Sequence, residues 1–333
     1  MFRRFVQLVR SKRLAGLNRA RLRRVVASDS MGERTPVFFI FTPELVHFAP
    51  FCLSGVSPEF APVLVLNAVD KDDEHWLQQQ LPGLPIVRLV TSISGNSASM
   101  LAHAEVLNDL FAVCEGCFCI QDPDCFVIDD TFWNQVPIES NHFAGGPFVK
   151  RPTNHDHVLP DTFFLTFNSR VFRDVSHKYG VTANVIRSLG TGARQRLETI
   201  GYTVGDYPER FKGYFDTLQA YWLLSLADGL TFKQMPGAGE TVFHIGGTSY
   251  MHKTDYDLSH WDYWPLSVHY FNLRLLERPG LARFRERFKA VFSQHESADR
   301  LLHSYPEFKQ TIRFSQTEKI LSSFDPAIVE SGC

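Results

Sequence analysis

Two carboxylates one residue apart, Asp122-Pro-Asp124, stand directly after the apolar run Cys117-Phe-Cys-Ile120. Side chains two apart in an extended turn project to the same side, and paired carboxylates so placed can grip a divalent cation. The proline stiffens the link and contributes no backbone donor. A solvated turn is the competing reading of the same triplet. Two further groups could complete a site of this kind. His244 precedes Gly246-Gly247, where a backbone can approach a phosphate closely. Its neutral imidazole can ligate a metal, although a satisfied structural histidine has the same appearance in sequence. Asp216, in Gly213-Tyr-Phe-Asp216-Thr-Leu-Gln, stands at the start of a helical stretch, where it can cap the helix or accept a proton.

Other arrangements point to other chemistry and are weaker. Gly95-Asn-Ser97-Ala-Ser99 approaches the nucleophile elbow of an α/β-hydrolase, with Ser97 as nucleophile. Ser99 occupies the place of the final glycine, and its side chain would crowd the tight turn. Cys114-x-x-Cys117 would make half a zinc site, but no second CxxC or histidine pair follows. Cys117 and Cys119 instead alternate as inward-facing residues of a strand do. Gly190-Thr-Gly192 and Gly237-Ala-Gly239 lack the third glycine of a dinucleotide fingerprint, and neither opens the first βα turn. The loop from Lys150-Arg151 through His155 and His157 to Asp161 has the charge of a lid or acceptor contact, or of a solvated loop. Trp261-Asp-Tyr263-Trp264 offers a stacking platform for a sugar, with ordinary packing as its alternative.

The elements that must position these residues follow from apolar spacing. Short buried strands are expected at 37–41, 62–66, 85–90 and 117–120, with helices at 43–54, 72–81 and 97–113 between them. Met100, Ala104, Leu107 and Phe111 mark the buried side of the last helix. Strands alternating with helices at this spacing mean βαβ units and a mostly parallel, twisted sheet. Further strands are expected at 143–149, 162–167 and 230–234, a helix within 181–200, and one at 217–228 ending at Asp228-Gly229. Residues 265–324 read as wholly helical. The partition expected is a basic helix over 1–30, an α/β domain over 31–264 and a C-terminal helical extension over 265–333.

The 333 residues are 44% hydrophobic and 21% charged, with a net charge of −2. That balance excludes global disorder and fibrous repeats. Nine of the 34 basic residues fall in 1–24 with no acid among them, leaving 25 basic against 36 acidic residues in the rest. An acidic body argues against a nucleic-acid partner. Phe2, Phe5, Val6 and Val9 sit at helical spacing against an arginine-rich face, so the segment could lie on an anionic membrane surface. An extra helix packed on the domain is the equal alternative. No run has the length of a membrane span. The few cysteines and the absence of a signal-like stretch lead to an expected cytoplasmic location, at the inner membrane face if the helix binds lipid.

The acidic pair ending the fourth strand, Asp216 at a helix start, the strand leading to His244 and the segment His103-Ala-Glu-Val-Leu107-Asn108 together resemble the GT-A nucleotide-sugar glycosyltransferases. The nearest likeness is to family-2-like members, over roughly residues 35–250. The resemblance implies a GT-A fold and transfer of a hexosyl group from a nucleoside-diphosphate sugar to a hydroxyl acceptor, either a glycan, a lipid-linked sugar or a small molecule. It implies Mn²⁺ or Mg²⁺ held by Asp122, Asp124 and His244, with Asp122 also a candidate ribose contact. His103 would stabilise the leaving diphosphate. Asn67, Asp70 and Thr42 are candidate base or ribose contacts, and Asp216 the general base of an inverting reaction. The sequence departs from the family where Phe41-Thr42-Pro43-Glu44 replaces a Pro-x-x-Asn turn, and where Phe215 replaces an acidic residue before Asp216. The alternatives are the hydrolase with Ser97 and a glycan-binding protein that keeps the scaffold without the activity.

Overall fold

A computed structural model describes residues 2–28, 31–92, 100–150, 157–202, 215–246, 264–288 and 297–324, the first ten of these as backbone alone. Seven strands form the central sheet: β1 (Thr35–Phe41), β2 (Phe60–Leu66), β3 (Ile86–Arg88), β4 (Cys117–Gln121), β6 (His142–Gly146), β9 (Phe164–Asn168) and β10 (Thr231–Gln234). Their order is β10-β6-β9-β4-β1-β2-β3. β1 is parallel to β2 and β4, β2 to β3, and β10 to β6, whereas β9 runs antiparallel to both β4 and β6. The fold is therefore the mostly parallel α/β sheet the spacing predicts, with one reversed strand at its centre. Two small antiparallel pairs stand beside it: β5 (Cys125–Val127) with β11 (Val242–His244), and β7 (Val149–Lys150) with β8 (Leu159–Pro160).

The strand period of two splits the sheet's side chains between two cores. Phe38, Val63, Val65, Phe118, Ile120, Leu165 and Phe167 face one way. They are covered by α1 (Phe2–Val26), α4 (His103–Val113), α5 (Ser169–Tyr179), α6 (Thr191–Glu198) and α7 (Gln219–Ala227). Val37, Phe39, Phe41, Leu64, Leu66 and Cys119 face the other way. That core is closed by α2 (Ala49–Ser54), α3 (Lys71–Gln80), the β5/β11 pair and the C-terminal helices. Those helices are α8 (Trp264–Leu276), α9 (Ala282–Phe288), α10 (Ala298–Ser304) and α11 (Ile312–Ser323). The helical character expected of 265–324 holds across the described residues, and the segment packs directly on the sheet.

Several elements differ from expectation. α4 begins at His103, not at Ser97, and Met100 is exposed. The cause is non-local: the Asn67 side chain exchanges two 2.9 Å hydrogen bonds with the Leu101 backbone, keeping that residue extended. Glu105 then accepts from the Ala102 amide and starts the helix. α5, not anticipated, is capped by Asn168, whose side chain accepts from the Arg170 amide, and by Gly180 at φ +66. α7 starts at Gln219 because Leu218 adopts φ +63, a left-handed conformation that no helix continues through.

α1 is docked by its second half. Asn18 accepts from the Val90 amide at 2.6 Å, Arg19 pairs with Asp109 at 2.7 Å, Arg21 donates to the Arg88 carbonyl at 2.6 Å, and Leu22 is fully buried. Lys12, Arg13, Arg23 and Arg24 remain exposed. The Phe2, Phe5, Val6 and Val9 stripe concerns side chains outside the described residues. Among the described residues no helix is long and apolar enough to cross a membrane.

Candidate metal and donor site

Asp122 and Asp124 leave the carboxyl end of β4, which in an open parallel sheet is where ligands gather. The turn is held from inside. The Cys125 amide donates to the Asp122 carbonyl at 2.9 Å, and the Gln121 side-chain amide donates to the Cys125 carbonyl at 2.7 Å. Across it, the β5/β11 pairing sets His244 opposite Cys125, and the Ile245 amide bonds the Asp124 carbonyl at 3.1 Å. The result brings ligand atoms of Asp122, Asp124 and His244 within 4.8 Å of one another. His244 Nε2 lies 3.3 Å from Asp124 Oδ1. The three residues that the sequence singled out, 122 positions apart at the extremes, therefore meet.

Packing orients the histidine. Its ring stacks on Phe163, with centroids 3.5 Å apart and an interplanar angle of 21°. Gly246, at φ +75, leaves room for Trp264: a Cβ there would stand 3.0 Å from the indole nitrogen and 3.4 Å from the His244 ring. Only glycine serves both the backbone angle and the space. Trp264 thus borders the site; Trp261 and Tyr263 of the same cluster lie outside the described residues, as do Ser97 and Gly247.

The electrostatics are those of a site short of positive charge. Burial, and then the charge of Asp124, push the Asp122 carboxyl up to about 8, with Asp161 adding to the effect and His244 opposing it. Burial works against a charge on the His244 ring, but Asp124, Asp122 and Asp161 outweigh it and raise its pKa. Lys150 pairs with Asp161 at 3.7 Å, and carboxylates crowded in this way are costly unless a cation joins them. Two carboxylates and an imidazole suit Mn²⁺ or Mg²⁺ by donor type. The residues present fit such an ion.

Three buried polar atoms at the ends of β1 and β4 and the start of α4 have no hydrogen-bond partner among the described residues. They are Thr42 Oγ1 after β1, Gln121 Oε1 ending β4 and His103 Nε2 opening α4. Burial lowers the His103 pKa to about 4, so it is a neutral ring at pH 7. Asn67 is buried and occupied with Leu101, and Asp70 caps α3 by accepting from the Asp73 amide at 2.8 Å. Ala68 between them takes φ +64. Asp216 is exposed; its carboxylate accepts from the Thr217 amide at 2.7 Å and its amide donates to Gln219 Oε1. It stands six residues before Trp222, whose ring lies under Lys150 at 5.7 Å, and Lys150 in turn pairs with Asp161 at 3.7 Å.

Asp161, Phe163 and Gln121 are participants that sequence reasoning did not assign. Asp161 lay at the edge of the charged loop after Lys150, and its position at the entry to β9, next to the end of β4, was the signal available. The five described cysteines are free, and burial raises the pKa of each thiol that takes part in the packing around β4, consistent with core residues.

An acidic pair ending a central strand, backed by a histidine from a second small sheet, forms a cluster that could hold a metal ion on a mostly parallel α/β scaffold. Residues 16–172 match the family model of the StrH glycosyltransferase N-terminal domain. That match agrees with the glycosyltransferase resemblance over this segment and does not assign it to the family-2-like group. Asp122 and Asp124 fall within the match and Asp216 and His244 beyond it. A comparison with curated proteins finds no match. Among solved structures the chain is similar to the galactosyltransferase LgtC in complex with donor and acceptor sugar analogues, at 11% identity and TM-score 0.34, over 42% of this chain and 60% of that one. It is similar to the bifunctional glycosyltransferase WbbM at 11% identity and TM-score 0.35, over 63% and 41%. It is similar also to the glycosyltransferase GlyE of Streptococcus pneumoniae TIGR4, at 11% and 0.38, over 68% and 52%. The chain spans less than two thirds of the length of each of these.

Proposed function

We propose that the protein is a metal-dependent glycosyltransferase that moves a sugar from a nucleoside-diphosphate sugar to a hydroxyl acceptor. The observation that carries this reading is the convergence of Asp122, Asp124 and His244 at the end of β4, in a chain whose first half matches a glycosyltransferase domain. Bound there, Mn²⁺ or Mg²⁺ would neutralise the charge that develops on the leaving diphosphate. Asp122 and Asp124 would hold the ion through carboxylate oxygens and His244 through a ring nitrogen. His103, uncharged at pH 7, offers a ring nitrogen at the start of α4, where the helix dipole also favours an anion. Thr42 and the Asn67–Asp70 loop line the side on which the nucleoside would rest. Asp216 takes the acceptor hydroxyl's proton as that oxygen bonds the anomeric carbon and the carbon–oxygen bond to the diphosphate breaks, giving inversion.

The exposed Lys12, Arg13, Arg23 and Arg24 give α1 a cationic outer face suited to the anionic inner leaflet of a membrane, and a cytoplasmic location accords with this reading. A panel of nucleotide sugars tests the chemistry. With Mn²⁺ and no acceptor, the protein should slowly release free sugar from one donor class. Asp216→Asn should keep donor binding and lose transfer to any acceptor found. A folded protein that neither binds nor turns over any nucleotide sugar would sink the reading.

A further inference from the structure

The C-terminal helical segment reaches the donor side through one arginine. Arg287 on α9 forks onto the fully buried Asp73 of α3, Nη1 to Oδ2 at 2.7 Å and Nη2 to Oδ1 at 2.8 Å. Its Nη1 also donates to the Pro43 carbonyl at 3.2 Å. Pro43 adjoins Thr42, whose hydroxyl oxygen is buried with no partner among the described residues at the carboxyl end of β1. Asp73 lies in the first turn of α3, directly after the Asn67–Asp70 loop that follows β2. The charges of Asp70 and Glu44 act on the same guanidinium, one from each loop. Arg283, one turn earlier on α9, meets Asp73 Oδ1 at 3.0 Å and the Asp72 carbonyl at 3.5 Å, both on α3. Two arginines thus dock the same helix on α3, and of these two Arg287 is the one that bonds the turn after β1.

The geometry points to Arg287 as a positioning residue of the donor pocket: its bond to the Pro43 carbonyl sets where the Thr42 turn stands relative to the Asn67–Asp70 loop, and so shapes the space that receives the nucleoside half of the donor. The inference rests on the glycosyltransferase reading. A planar fork can hold two carboxylate oxygens and a carbonyl in one plane, whereas a lysine ammonium is a single point donor. The C-terminal segment is on this account part of the donor site, although its residues lie far from the acidic pair in sequence.

The test compares Arg287→Lys with Arg283→Gln in the full chain. Binding of UDP and GDP in Mn²⁺ is measured by calorimetry, and binding of Mn²⁺ alone by the same method. Arg287→Lys should weaken nucleotide binding by about tenfold, the usual scale for a group that orients a ligand-contacting one. Arg283→Gln should leave nucleotide binding unchanged, and neither variant should alter binding of Mn²⁺ alone. Equal nucleotide affinity in Arg287→Lys and the unaltered protein overturns the inference, as does an equal loss in both variants, which would mean general docking of α9. A native protein that binds no nucleotide fails at the prior step and removes the glycosyltransferase reading itself. Hydrogen exchange on the unaltered protein covers a variant that does not fold: nucleotide should slow exchange at residues 42–45 and at 283–288 together. Slowing at neither segment, or at 42–45 alone, overturns the inference.

Discussion

Asp73 and Asp124 are both buried carboxylates at the same edge of the sheet, and their surroundings are opposite. Asp73 receives two guanidiniums from α9 and has no exposed surface. Asp124 receives a second carboxylate and a histidine, and its neighbour Asp122 is driven up to about 8. A carboxylate whose task is to hold the fold comes with its cation encoded in the chain. On the proposed reading Asp124 holds an ion from solution, and it stands beside a second carboxylate at a cost in stability that the ion would offset.

Asp124→Ala sharpens that contrast most. It should lower metal-dependent nucleotide affinity by about a hundredfold or more while raising the melting temperature, since removing a like-charged neighbour relieves Asp122. A loss of both affinity and stability would mean that Asp124 is structural, as Asp73 is. At pH 7 the apo site holds a proton on Asp122, whose pKa stands at about 8, and the raised pKa of His244 adds to the protonation a metal must displace, so affinity for Mn²⁺ with nucleotide should rise as pH climbs through about 8. A flat profile in calorimetry would remove His244 and Asp122 from the ligand set.

His47 shows a third way of burying a titratable group. It is enclosed by Phe48, Phe284 and Phe288, with Nε2 3.0 Å from Asn272 Oδ1, and burial lowers its pKa to about 4. The unfolded chain takes up the proton first, near the ordinary value of about 6.5. Stability from this group is therefore complete above about pH 6.5 and declines to about pH 4, by up to ~3 kcal/mol. Urea unfolding across that range should show the slope, and His47→Gln should reduce it while leaving the part that His103 contributes. Asp73→Asn should cost about 2 kcal/mol, less than for a fully enclosed pair because both arginines are about a third exposed and regain water. Ala68→Gly should stabilise by at most ~1 kcal/mol by relieving a left-handed non-glycine residue. Destabilisation instead would show that the Ala68 methyl contributes packing worth more than the strain.

The site was legible where its signal is local. Asp122-Pro-Asp124 carries its meaning in three residues after a strand, and the run Val242-Phe-His244-Ile-Gly246 carries the histidine. The alternation of strands and helices likewise gives the sheet. What was hidden depends on distant partners. Nothing in Phe164–Asn168 states that β9 runs against its neighbours. The clamp of Asn67 on Leu101, 34 residues away, moves the start of α4 to His103. The fork of Arg287 on Asp73 spans 214 residues. α5 is a different case, since Asn168 and Gly180 are ordinary capping residues at both its ends and were readable.

The central claim is that the acidic pair and His244 hold a cation against a nucleoside diphosphate. Its most direct test is calorimetric titration of UDP and GDP into the native protein with Mn²⁺, repeated with EDTA and with Asp124→Ala. Binding of one nucleotide that disappears with either the chelator or the substitution is the predicted result. Nucleotide binding that survives both, or no binding by a folded sample with metal present, would contradict it.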